Sequence, residues 1–285
     1  MNFFQMRTLL VLILAAASLT GCSLVNKVRA RNELDDGANA YKERKFPEAE
    51  IHFQRAMDLD PGQRLTELFL ARTLHQQYLA QRENNDNKIK GEKAIELYKQ
   101  ILTVKPDDKA SGDAVTNLVF NLKGAEARDE WLRQRASDAN VPAEFRADAY
   151  TALASSQYTC ANEITEADDV KKTVEQSENN AVYVFKKPAN NDDYVKAKDC
   201  AAKGTELINQ ALALNQNSDS TWSYKASLLA QQARIAEMDN NKPEKERLMS
   251  ESGQAKDKFL ELSAEKAKKK AEEEERKKAE AEAKK

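Results

Sequence analysis

This sequence predicts an all-α protein built from paired helices, on three observations. Only 8 Gly and 6 Pro occur among its 285 residues, while the better helix formers Ala, Leu, Glu, Lys and Gln are plentiful. Small and large apolar residues recur at i, i+4, i+7, a spacing that places them on one helix face. The sets are Ala49, Phe53 and Ala56; Ala94, Tyr98 and Ile101; Gly204, Ile208 and Ala211; and Ala255, Phe259 and Leu262. Proline follows the first two sets at Pro61 and Pro106, where a helix should stop. The formal net charge is −2, so no broad basic field draws the chain to nucleic acid.

The N-terminus carries Arg7, an apolar run from Leu9 to Ala17, and then Ser18-Leu19-Thr20-Gly21-Cys22. That order describes a secretory signal over residues 1–21. The run is too short to span a bilayer comfortably as a permanent helix. Leu19-Thr20-Gly21-Cys22 resembles the bacterial lipobox. The resemblance implies cleavage after Gly21 and acylation of Cys22, and several acyl chains anchor a protein effectively permanently. Ser23 after the cysteine favours the outer membrane by the same analogy. An ordinary secretory signal with an incidental cysteine is the alternative. Residues 22–31 are expected as a lipidated tether whose basic stretch touches anionic headgroups.

Within Gly37–Pro61 stand Gly37, Tyr41, Ala49, Phe53, Ala56 and Pro61, on either side of the break Lys45-Phe46-Pro47-Glu48. The segment resembles one tetratricopeptide repeat, a helix–turn–helix unit of about 34 residues. One such pair cannot bury its apolar faces alone, so neighbours must stack on it. Five repeats are expected within residues 32–263, the first reaching back to about residue 28. They run from about 28 to 61, 65 to 106, 111 to 142, 143 to 216 and 219 to 263.

The first repeat has Gly37 where its helices approach each other and Pro47 in the first turn of its second helix. In the second, helices are expected at Leu65–Gln81 and Gly91–Val104, with polar, Asn-rich Arg82–Lys90 as a solvated loop. The third has Ala114, Leu118 and Leu122 on one face, a break at Gly124, and Ala127 with Trp131 as its small-then-aromatic pair. In the fourth, Tyr150, Leu153, Ala154 and Tyr158 belong to helix one and Lys196–Leu214 to helix two. The fifth takes Trp222, Ala226 and Leu229, then Ala255, Phe259 and Leu262 after a linker at Asp239–Lys242.

The fourth repeat is interrupted by Ala161–Asp199, flanked by Cys160 and Cys200. With Cys22 lipidated, two cysteines remain in an oxidising compartment, which favours a bridge between them. A Cys160–Cys200 disulfide clamping the insertion is expected; two unrelated buried thiols are the alternative. Inside the insertion, Val170–Gln176 and the β-branched, aromatic run Ala181–Lys187 are separated by Ser177-Glu178-Asn179-Asn180. This suits a hairpin, which needs support from the array or from something else. A functional element and a packing flap are both open readings.

Residues 264–285 contain only Ala, Glu, Lys and Arg, with nine basic against seven acidic residues. Pairs at i, i+4 support a solvated extension of the last helix. No apolar heptad seam favours a coiled coil; an envelope spacer or cell-wall docking arm is the other reading. No phosphate loop, nucleophile elbow or metalloprotease motif occurs. His52 and His75 lie on different repeats without a metal-ligand spacing. No enzyme activity, cofactor, metal or nucleic-acid partner is expected.

The repeat resemblance implies a right-handed superhelix whose first helices line a concave, peptide-binding groove. Carried over residue by residue, the groove comprises Leu34, Ala38, Tyr41 and Lys42, then Leu68, Arg72, His75 and Gln76, then Thr151, Ser155 and Tyr158. The expected function is a non-catalytic envelope scaffold, anchored at Cys22, that recruits another exported protein. A spacer between membrane and cell wall, or an accessory subunit of an envelope enzyme, are the alternatives.

Overall fold

The computed structural model describes residues 24–177 and 180–283. Its architecture is the expected one, helices packed in consecutive pairs with one small two-stranded sheet. Helix α1 covers residues 24–42. It is followed by α2 (Phe46–Leu59), α3 (Arg64–Ala80), α4 (Asn85–Val104), α5 (Lys109–Ser137) and α6 (Ala143–Thr165). Strands β1 (Lys171–Ser177) and β2 (Asn180–Phe185) come next, then α7 (Asn191–Leu214), α8 (Asp219–Met238) and α9 (Lys242–Glu282). The chain forms two compact units, Met1–Arg128 and Asp129–Lys285. Their division falls within the expected third repeat.

In the first unit the small-against-large spacing is the packing device. A Cβ added to Gly37 would lie 2.6 Å from the Phe53 ring, so α1 and α2 meet where only hydrogen fits. Phe53 is fully buried and stacks on Phe69 of α3, with ring centroids 5.5 Å apart. Gly91 of α4 repeats the arrangement, its added Cβ meeting Leu122 at 3.0 Å and Tyr78 at 3.1 Å. Ala49, Ala56, Leu70, Leu74, Ala94 and Leu118 fill the interior. Burial of each large apolar side chain contributes about 1.5–3 kcal/mol. The α1–α2 turn closes with Lys45 N–H donating to Ala40 O at 2.9 Å and Arg44 N–H donating to Tyr41 O at 3.0 Å. This Schellman pattern holds Arg44 at φ 61°, a left-handed conformation that glycine adopts more easily. Pro47 occupies the first turn of α2, as expected.

Several boundaries depart from the sequence reading. Residues 24–31, expected as a tether, form the first two turns of α1. No Gly or Pro interrupts that run, and Ala30 within it is fully buried. Residues 82–90, expected as a loop, mostly belong to α4, because Asn84 caps it. Its side-chain oxygen accepts from the Asp86 and Asn87 N–H groups at 2.8 and 3.2 Å. The insertion is shorter than residues 161–199: α6 runs on to Thr165 and α7 starts at Asn191. Asn190 caps α7 by accepting from Asp192 N–H at 3.0 Å.

Gly124 interrupts α5 at φ 88°, ψ −178°, a region essentially reserved for glycine, at the expected break. Beyond it Leu132 and Ala136 are buried, while Ala127 and Trp131 are only half-buried. The pair that enters the interior is therefore displaced from the expected one. Leu132 and Ala136 face Ala149 and Leu153 of α6, and Trp131 covers that cluster from its edge.

In the second unit α6 and α7 run antiparallel, and a disulfide joins Cys160 to Cys200 with a Cα–Cα distance of 6.1 Å. Gly204 lets α8 approach, since an added Cβ would lie 2.5 Å from Leu228. The hairpin is antiparallel, with Lys171 opposite Phe185, Thr173 opposite Tyr183 and Val174 opposite Val182. Helices α8 and α9 also run antiparallel, tied by Ser252 Oγ donating to Ala226 O at 2.8 Å. Past Leu262, α9 continues to Glu282 with its side chains almost all exposed. Ion pairs one turn apart, such as Lys277–Glu273 at 2.6 Å and Arg276–Glu280 at 3.7 Å, line it. The tail is the solvated helical extension that its sequence predicts. No helix among the described residues is long and apolar enough to cross a membrane.

Candidate interaction surface

In the first unit the expected groove residues lie on α1 and α3. Leu34, Ala38, Tyr41, Leu68, His75 and Gln76 are half-buried, and Lys42 and Arg72 are exposed. Tyr41 packs edge-on against Phe46, with ring centroids 5.4 Å apart. His75 stands edge-on to Tyr98 of α4 at 6.1 Å. His75 is thus brought against the buried Tyr98 ring. Burial pushes the Tyr98 phenol well up, so it stays neutral. The His75 imidazole is held below its ordinary value by burial and then by the Arg82 charge, which keeps it neutral near pH 7.

Leu68 also lines a cleft of about 340 Å³ with Pro61, Leu65, Ile101 and Val104, bordered by Glu67, Lys105 and Asp108. Leu65 and Val104 are 58% and 52% exposed. A cleft of that size takes an apolar side chain, with charges of both signs at its rim. His52 has a different role. Its Nδ1 lies 2.7 Å from Glu33 Oε2, linking α2 to α1.

In the second unit the expected groove residues divide. Thr151 is buried, contrary to its assignment to the groove: its hydroxyl donates to Ala147 O at 2.9 Å and bonds to the Thr221 hydroxyl at 2.8 Å. It joins α6 to α8. Ser155 is half-buried, with its hydroxyl donating to Ala152 O at 3.0 Å. Tyr158 stands edge-on to Tyr224 at 6.1 Å, and its hydroxyl donates to Asn162 Oδ1 at 3.4 Å.

A polar ladder that the sequence reading missed continues along the same contact. Gln231, 2% exposed, donates to Asn162 Oδ1 at 2.8 Å and accepts from the Thr165 hydroxyl at 2.7 Å. Arg234 then donates to Thr165 Oγ1 at 3.0 Å and pairs with Glu166 at 2.7 Å.

That ladder ends at the seat of the hairpin. Val170 and Phe185 pack with Ala161, Cys200, Ile235 and Met238, and the Arg234 guanidinium lies 4.5 Å from the Phe185 ring centre. Lys171 pairs with Glu166 at 2.6 Å, and this bond leads in holding the Glu166 carboxyl below its usual range. Asp239 accepts from the Tyr194 hydroxyl at 2.7 Å and pairs with Lys187 at 2.7 Å. The Lys187 bond, then that of Tyr194, holds its carboxyl low. Burial, helped by Asp239, pushes the Tyr194 phenol up to about 12. The base of the hairpin is thus a packed flap, while Val174 and Tyr183 farther along remain 44% and 59% exposed.

A second cleft, of about 570 Å³, is lined by Asp129, Arg133, Tyr150, Gln157, Lys203 and Leu207, among others. It lies on a face of α6 next to the one carrying Ser155 and Tyr158, and none of the expected groove residues borders it. Among the described residues no group of three or more His, Cys, Asp or Glu is placed to hold a metal ion.

No protein-family model matches the chain, and no curated protein matches it by sequence. Among solved structures, a MamA protein aligns at a TM-score of 0.41 and 14% identity, covering 84% of this chain and 94% of that one. A pilF protein of Pseudomonas aeruginosa aligns at 0.36 and 12%, covering 84% and 99%. Yeast Tom70 aligns at 0.30 and 14%, covering 82% of this chain and 48% of its own. Likenesses at these scores carry no functional assignment.

Proposed function

We propose that this chain is a non-catalytic scaffold of the bacterial cell envelope, held in the outer membrane by acyl chains on Cys22 and facing the periplasm. Its first helices bind an extended or helical segment of another exported protein. The observation that carries this reading is the row on α1 and α3, where half-buried Tyr41, Leu68, His75 and Gln76 alternate with exposed Lys42 and Arg72. Partly covered apolar surface with a few placed polar groups is what peptide recognition in a groove requires. Cys22 lies outside the described residues, so the anchor rests on Leu19-Thr20-Gly21-Cys22.

Two experiments test the two halves separately. Globomycin is expected to leave a larger precursor; an unchanged size removes the lipid anchor. Affinity isolation from solubilised envelopes is expected to recover one dominant exported protein with the natural chain. The anchored variant Leu68→Asp/Arg72→Glu should lose it. Recovery of the same proteins with both chains contradicts the groove.

The exposed helix that continues to Glu282 supports a second reading, a spacer reaching toward the cell wall. At about 1.5 Å per residue, the tail from Ala264 extends about 30 Å. Deletion of residues 264–285 should then abolish sedimentation with cell walls, whereas the Leu68→Asp/Arg72→Glu variant should not.

A further inference from the structure

We infer that the first two turns of α1 form a membrane-contact surface for anionic phospholipid. The inference rests partly on the lipid-anchor reading of Cys22, which stands two residues ahead of Leu24. Helical geometry sorts this segment into two faces. Ala30, fully buried, and half-buried Asn26 point into the first unit. On the opposite face Val28 is central, with Leu24 one turn before it and Val25 beside them. These three are 62%, 66% and 51% exposed. Lys27 and Arg31 border the apolar stripe on one side and Arg29 on the other, all exposed, and the first acidic residue along α1 is Glu33.

A surface helix of a water-facing protein carries polar residues on its outer face. Here that face is apolar at its centre and cationic at both edges. This is the pattern of a helix lying at a bilayer interface, with aliphatic side chains among the acyl chains and long basic side chains reaching the headgroups. Two extended residues span at most about 7 Å, so an acylated Cys22 holds the stripe at the bilayer. The chemistry selects anionic lipid, because three cations meet it without an intervening carboxylate. Such a contact orients the first unit on the membrane, where a flexible tether would leave it free to turn.

The test uses the mature chain with Cys22→Ser, floated with vesicles of phosphatidylcholine alone or containing phosphatidylglycerol. Binding is expected only with phosphatidylglycerol and should weaken with salt. Each cation near the surface contributes about five-fold in affinity. Lys27→Gln/Arg29→Gln/Arg31→Gln should therefore bind roughly 100-fold more weakly. Leu24→Asp/Val28→Asp, at exposed positions that leave the melting curve unchanged, should not bind. Equal binding to both vesicle types, or unchanged binding by both variants, overturns the inference. So does a concentration-dependent dimer that Leu24→Asp/Val28→Asp abolishes, since the stripe then joins two copies of this chain. Globomycin processing is read independently: an unchanged size of the natural chain, with the Cys22→Ser chain still floating, ends the anchor reading and leaves this one standing.

Discussion

Helices α1 and α2 in the first unit and helices α6 and α7 in the second meet the same requirement, two helices held side by side, by different means. The first pair uses shape. Gly37 admits the Phe53 ring, Phe53 stacks on Phe69, and the link between the helices is a tight turn through Arg44. The second pair outruns that device, because α6 extends to Thr165 and residues 166–190 intervene before α7. Its added length is pinned by the Cys160–Cys200 disulfide, the ladder of Asn162, Gln231, Thr165 and Arg234, and Asp239 beneath the hairpin. A repeat in register is held by apolar fit. Chain added beyond the register keeps a small apolar seat around Val170 and Phe185, and directional and covalent bonds are added to it.

The strongest way to break this contrast is Phe53→Ala. It should cost about 3–5 kcal/mol and speed amide exchange in α1, α2 and α3. Equal acceleration in α6–α8 would show that the contrast is wrong. Next is Cys160→Ser/Cys200→Ser. In the chain-entropy model a loop of this length is worth about 4 kcal/mol, with about 2–4 expected in practice. The destabilisation should appear in exchange of α6, α7 and the hairpin, and reductant should reproduce it in the natural protein. An effect of reductant confined to α1–α4 would contradict it.

A smaller effect, of opposite sign, is expected from Arg44→Gly. Relieving a left-handed arginine at the helix end should raise stability by about 1 kcal/mol, read from the urea midpoint. Asn240 holds the matching position after α8 at φ 55°, but Asn tolerates it, so Asn240→Gly should change little.

The smallest effects separate the two regions by pH. The His75 pKa is lowered from its ordinary 6.5, so the unfolded chain takes up that proton first. Its stabilising contribution is complete above pH 6.5 and declines as pH falls below that value. The carboxyls of Glu166 and Asp239 are lowered from 4.5 and 3.8. Their contribution is complete above those ordinary values and is lost as pH falls through the lower folded ones. Exchange in α3 should therefore rise at milder acidity than exchange at the hairpin, and His75→Gln should remove the earlier step alone.

The legible parts of the fold were those governed by local spacing. The small-large sets, the break at Gly124, the paired strands and the bonded cysteines all follow from residues whose backbone or chemical options are few. The helix starts at Asn85 and Asn191 were less legible, because an Asn-rich run serves equally as loop or as cap until a helix follows it. The contact of His75 with Tyr98 was not legible, because Tyr98 stands in an interior small-large set and the spacing does not say which side chain meets it. Thr151 was misplaced because a threonine carries no signal of which neighbour its hydroxyl meets. The Thr165–Gln231 bond joins residues 66 positions apart, and no short-range pattern announces such a pair.

The central claim is that partners are held by the first helices and not by the hairpin. Photoreactive residues placed singly at Tyr41, Tyr158 and Tyr183 in living cells, followed by mass spectrometry of the crosslinked products, test it most directly. One dominant exported protein should be captured from Tyr41, with little from Tyr183, and Tyr158 reads the second unit by itself. Capture from Tyr183 alone, or only lipid and cell-wall products from Tyr41, would contradict the claim.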